Sequence, residues 1–190
     1  MFLARRPSPA TIDRVLRDAA TLPLSYAPIG IVDEAGDRYR MDELAATVGH
    51  GADDFDRAVA ALRAWKQFDV GWVELHPRDA STEISTNVAV LISHLGFWSL
   101  NGCRVVSRVD AADGRRFGYA YGTLPTHAEA GEERFEVSWD RESGDVLYRI
   151  RAISWPAVWL ARAGQPIVRA LQDRFRRDSL AAVRRAVRAR

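Results

Sequence analysis

Residues 117–135, FGYAYGTLPTHAEAGEERF, constrain the fold of this chain more than any other stretch. Phe117, Tyr119, Tyr121 and Thr123 alternate with Gly118, Ala120 and Gly122, the period of two of a strand with one aromatic face and one nearly bare face. A bare face lets a helix or a ligand approach closely. Pro125 and Gly131 then bracket a polar connection carrying His127, and Glu133, Phe135, Val137 and Trp139 share one face of a second alternating run. Glu133 is out of place among those neighbours. A carboxylate in phase with Phe, Val and Trp has to be solvated at the end of a pocket, paired, or protonated, since burying it alone is costly.

The flanking sequence supplies the rest of an α+β chain. Residues 11–20 read as a helix with Ser8 as N-cap, Pro9 at the first helical position and a stripe of Ile12, Val15, Leu16 and Ala19. Residues 26–32 read as a short extended piece and residues 34–37 as a turn. From Met41 the pattern is helical, Gly49-His50-Gly51 reads as a helix-to-helix turn in which His50 is either a surface residue or a ring contributed to a pocket, and a second helix opens near Asp53-Asp54, burying Phe55, Ala58, Leu62 and Trp65. Strand-like runs follow at 72–75, 87–93, 103–109, 117–124, 132–139 and 146–154. Asp113-Gly114 and Ser143-Gly144 are hairpin turns, so the last four runs pair antiparallel in order. The apolar segment 94–102 reads either as a flap over a pocket or as a strand with a bulge at Gly96. After Trp155-Pro156 the sequence is helical to the end, interrupted near Gly164-Gln165-Pro166, with Val168, Leu171, Phe175, Leu180, Val183 and Val187 on one side and eight arginines, Arg176 among them, on the other.

At 190 residues, 47% apolar and 27% charged, the chain fits one soluble domain spanning residues 1–190. No apolar run approaches the roughly 20 residues that span a bilayer. The opening MFLARRPSPA carries arginines and prolines where an export signal needs continuous apolar residues, so a cytoplasmic protein is expected. Cys103 is the single cysteine, which excludes an internal disulfide and a multi-cysteine metal site; it reads as a small buried strand residue.

A helical section, an antiparallel meander and a long closing helix imply a curved antiparallel sheet wrapped around the C-terminal helix. This resembles the helix-grip arrangement of the START-like superfamily. The motifs themselves, Gly49-His50-Gly51 with Phe55, Ala58 and Trp65, then 117–125 with His127, 131–135, Ser154-Trp155-Pro156 and Gln172, resemble the uncharacterised domain-of-unknown-function family nineteen-ninety. That family brings no established activity with it.

Three functional classes fit these residues. In the first, Tyr119, Tyr121, Thr123, Glu133, Trp139 and Tyr148, with Trp72 nearby, line a pocket for a small apolar or amphipathic molecule between sheet and closing helix, tyrosine offering an apolar body and a polar tip. The competing account makes these rings ordinary core. In the second, Glu133 and His127 act as acid and base on a hydrophobic substrate. Adjacent Glu132 and Glu133 point to opposite faces of a strand, so they do not share a metal ion, and no metal or cofactor is expected. In the third, the basic C-terminal helix engages nucleic acid or an anionic membrane surface; Asp173 and Asp178 interrupt the basic run and no aromatic platform accompanies it, which argues against both partners.

Overall fold

The structure is a computed structural model that describes residues 1–34, 39–157 and 165–189. Its strands are β1 (Phe2–Leu3), β2 (Asp42–His50), β3 (Val73–His76), β4 (Asn87–His94), β5 (Phe97–Asp110), β6 (Arg116–Thr123), β7 (Glu129–Trp139) and β8 (Asp145–Pro156). The helices are α1 (Pro9–Ala19), α2 (Ala52–Arg63) and α3 (Gln165–Arg188), and 3-10 turns occupy Ile31–Asp33 and Lys66–Phe68. All strands join one antiparallel sheet in the order β2-β8-β7-β6-β5-β4-β3, with β1 paired to β5 beside that path. The sheet curls into a half-barrel. Its concave face holds α2 and α3, and its convex face is covered by α1 and by the segment leading into the first 3-10 turn.

Local chemistry accounts for most of these elements. The Ser8 hydroxyl accepts the Thr11 N–H at 3.3 Å and Pro9 opens α1, where its missing N–H is harmless. Leu95 and Gly96, both at positive φ, make the two-residue turn between β4 and β5, so segment 94–102 is a hairpin tip and a strand start, and the bulge of β5 lies between Val105 and Ser107 instead. Gly114 and Gly144 serve the two later hairpins as expected.

Two expected elements differ. Residues from Met41 form the edge strand β2, not a helix: exposure alternates along it and it pairs with β8 from Asp42↔Ala152 to His50↔Asp145. Tertiary pairing overrides the helix propensity of Leu44-Ala45-Ala46. The Gly49-His50-Gly51 turn is therefore strand-to-helix. The Asp54 carboxylate accepts the His50 N–H at 2.7 Å, and a Cβ at Gly49 would lie 2.5 Å from the Asp54 Cβ, so this approach requires glycine. Residues 26–32 are not extended but turn into the first 3-10 turn. The expected turn at 34–37 and the interruption before Gln165 fall largely outside the described residues.

The C-terminal half of α3 is fastened to the rest. Ala182, Val183 and Val187 are buried, Arg184 donates twice to the Thr47 carbonyl at 3.1 and 2.9 Å, Arg185 donates to the Asp69 carbonyl at 3.0 Å, and Arg57 donates to the Val187 carbonyl at 2.9 Å. Beneath this end the concave face is packed solid. Toward its N-terminus the same helix faces a cavity instead of a core.

Candidate functional site

The space between the N-terminal half of α3 and the concave sheet measures about 410 Å³, within the size range of small-molecule pockets. Phe68, Trp72, Val90, Ile92, Leu171 and Phe175 form its apolar walls. Phe68 anchors the aromatic part, 5.2 Å from Phe175 and 6.2 Å from Tyr121 between ring centroids. Phe2, Leu95, Phe97 and Ile167 also line it and are substantially exposed, which makes an apolar rim.

One end is polar. Glu133 accepts the Tyr121 hydroxyl at 2.5 Å across the β6–β7 pair, where the two residues are direct partners. Glu129, four residues earlier on β7, accepts the Gln172 amide from α3 at 2.6 Å and the Ser154 hydroxyl from β8 at 3.3 Å. His127 accepts the Glu129 N–H on Nδ1 at 2.9 Å, so its neutral ring carries the proton on Nε2. Arg176 reaches the same end from α3, but its guanidinium is turned to Asp173 and lies 3.9 Å from Asp42.

Burial sets the ionisation of these groups. It raises Glu133 to about 7, a shift that the Tyr121 hydroxyl and Arg176 oppose and the charge of Glu129 reinforces. Burial also raises Glu129, against the hydrogen bonds from Ser154 and Gln172. His127 is lowered to about 4, first by burial and then by the nearby ammonium group of Met1, which donates to the Leu100 and Thr126 carbonyls. Tyr121 is pushed well above its ordinary value by burial and by Glu133. Near neutral pH the site thus holds a half-titrated carboxyl, a phenol and a neutral imidazole.

The residues proposed from sequence divide between cavity and core. Tyr121, Thr123, Glu133 and His127 line the cavity. Thr123 also hydrogen-bonds Ser25 and the Gly131 backbone. Tyr119 shares the Tyr121 face but lies under α2: its ring is 4.7 Å from Trp65, it accepts the Gln67 amide at 2.5 Å, and it donates to the Leu62 carbonyl at 3.1 Å. Tyr148 is fully buried and hydrogen-bonds Ser179 of α3 at 2.8 Å. Trp139 stacks on Phe55 and under Arg141, at the opposite end of β7. No hydrogen bond joins His127 to Glu133 among the described residues; each has its own partner. Among the described residues no cluster of side chains is fit to hold a metal ion.

Sequence reasoning missed Glu129, Gln172 and Arg176 as site residues. By its helical phase Arg176 falls on the arginine-rich side of the last helix, yet it is only 9% exposed and borders the cavity. Gln172 stood in the motif without a role. Glu129 is in phase with Glu133, but the strand was expected to begin only at residue 132, after Gly131.

A half-barrel gripping a long helix, with a cavity left at one end, defines a helix-grip protein. Residues 25–182 match the domain of unknown function DUF1990, and the chain belongs to that family. It is 34% identical over 207 aligned positions to a UPF0548 protein of Dictyostelium discoideum, covering 98% of this chain and 96% of that one. It is 35% identical over 187 positions to a UPF0548 protein of Deinococcus radiodurans, covering 92% of each. Among solved structures, a hypothetical protein from Helicobacter pylori aligns with TM-score 0.55 at 12% identity, over 88% of this chain and 98% of that one. The Zhui aromatase/cyclase from Streptomyces sp. R1128 aligns with TM-score 0.51 at 15% identity, over 79% and 94%. At these identities the likeness is one of fold.

Proposed function

We propose that this protein binds a small apolar or amphipathic molecule in the cavity between the concave sheet and the N-terminal half of α3. The observation that carries the reading is the division of one helix into two halves: its C-terminal half closes a packed core, and its N-terminal half stands over about 410 Å³ with apolar walls and one polar end. A protein that needed only stability would gain by filling such a space, since an unfilled cavity forfeits dispersion contacts. The arginines of α3 fit this reading better than a nucleic-acid surface. Arg174 and Arg176 are paired with Asp178 and Asp173, and Arg184 and Arg185 fasten the helix to backbone carbonyls of Thr47 and Asp69, so these four have structural roles.

The test is titration with the neutral apolar fluorophore N-phenyl-1-naphthylamine. Wild type should bind with enhanced emission, Leu171→Trp, which fills the cavity from α3, should lose most of that signal, and Tyr119→Phe, placed in the core, should retain it. Equal binding by wild type and Leu171→Trp would overturn the assignment.

A second reading is acid–base catalysis on the bound molecule, favoured by the Tyr121-Glu133 pair, in which burial holds a carboxyl at about 7 in contact with the cavity. In that role Glu133 works with Tyr121, and His127 supplies a neutral donor through Nε2. A fold neighbour is named an aromatase/cyclase, so enzymes occur on this architecture.

A further inference from the structure

The ligand's head group follows from what the polar end of the cavity leaves unsatisfied, an argument that rests on the binding function proposed above. Apart from the Nε2–H of His127, the side-chain donors at that end are engaged. The Tyr121 hydroxyl donates to Glu133, the Gln172 amide to Glu129 and Ser154, and Arg176 faces Asp173 and Asp42. The acceptors are not. Each of the two glutamates receives its hydrogen bonds on Oε2, and among the described residues no donor reaches Oε1 of either. Both residues are partly exposed where they line the cavity, so these oxygens are open to a donor on a molecule that enters it.

The charges point the same way. Of the three glutamates that line the cavity, Glu132 turns its carboxylate to Tyr26, Gly30 and Val32, which leaves Glu129 and Glu133 against one guanidinium that already has two aspartates beside it. His127 adds no positive charge near neutral pH. An anionic head group would meet Glu129 and Glu133 with Arg176 and the Met1 ammonium already engaged by aspartates and backbone carbonyls, and a neutral one would leave carboxylate charge uncompensated. A protonated amine supplies both the missing donors and the missing charge. The aromatic faces of Phe68 and Phe175 border the same space and suit the apolar body of such a molecule, with favourable ring contacts to a cation.

We infer that the cavity selects a lipophilic amine, its ammonium group held between Glu133 and Glu129 and its apolar body lying between the sheet and α3. The chemistry is shared by free long-chain amines and by amino-bearing lipids, so the probes carry the head group on a plain alkyl chain.

The experiment is displacement of N-phenyl-1-naphthylamine from the wild-type protein at pH 8 by decylamine, 1-decanol and decanoate, which differ only at the head group. Decylamine should compete at least about tenfold better than 1-decanol, the ratio expected for one charge-assisted hydrogen bond, with decanoate weakest. Glu133→Gln and Glu129→Gln should each narrow the gap between amine and alcohol. A ranking with decanoate or 1-decanol equal to or above decylamine overturns the inference while leaving the cavity as a binding site. Failure of all three, and of the fluorophore, overturns the binding function and the inference together. The wild-type ranking decides the question even where a variant does not fold.

Discussion

Glu133 and His127 sit at one end of the cavity and bias stability in opposite directions with pH. Glu133 titrates near 7 in the fold against about 4.5 in an unfolded chain, so its burial costs nothing below pH 4.5 and progressively destabilises the fold as pH rises to 7. His127 titrates near 4 against 6.5, so its cost is full below pH 4 and disappears as pH rises to 6.5. Each shift corresponds to about 3 kcal/mol at the rate of about 1.4 kcal/mol per pKa unit. The groups facing Glu133 are Tyr121, Arg176 and Glu129, and Glu129, itself raised, adds a slope of the same sign. His127 faces the Met1 ammonium. Between pH 4.5 and 6.5 the slopes of Glu133 and His127 oppose, so wild-type Tm should show only the gentler fall with pH that Glu129 adds. Glu133→Gln should expose a Tm that rises with pH, and His127→Gln one that falls. Parallel Tm curves for all three proteins would show that neither group titrates as described.

At the scale of elements, the bare face of β6 serves the N-terminal segment rather than a ligand. Tyr26 lies over Gly122, where a Cβ would come 2.3 Å from the phenol oxygen, and that phenol donates to Glu132 at 2.5 Å. Glu132 also accepts the Gly30 and Val32 N–H groups at 2.7 and 3.3 Å, while Asp33 pairs with Arg134 at 2.7 Å. Gly122→Ala should displace Tyr26 and cost about 2 kcal/mol, the scale of a hydrogen bond to a buried charge, measured by urea denaturation. It should also speed proteolysis of the segment ahead of the first 3-10 turn. Unchanged stability would mean that the segment contributes little to the fold. The strands of the meander were legible because alternation and Gly hairpins are local signals, and so was Glu133, which breaks its own alternation. β2 was not legible: Leu44-Ala45-Ala46 suits a helix, and only pairing with β8 makes it a strand. Nor does the sequence separate Tyr121 from Tyr119 and Tyr148. All three point to the concave side, and which of them meets a cavity depends on where α3 is held, a matter settled by Arg184 on Thr47 and by Val183 and Val187 far along the chain. Glu129 stayed hidden because Gly131 looked like the end of a loop, whereas β7 runs through it at φ 149°.

Across the whole molecule, the sheet is covered on both faces, by α1 and the N-terminal segment outside and by α2 and α3 inside, and the cavity lies where the inner cover stands away from it. No helix among the described residues is long and apolar enough to cross a membrane. The cavity thus brings apolar walls and the carboxyl groups of Glu129 and Glu133 together in one place. Native mass spectrometry of the protein after incubation with a cell extract, repeated under denaturing conditions, tests most directly whether that place holds a molecule. The predicted result is an added mass retained by wild type, released on denaturation and lost in Leu171→Trp. A wild-type spectrum that matches the sequence mass under both conditions, and stays indistinguishable from that of Leu171→Trp, would contradict it.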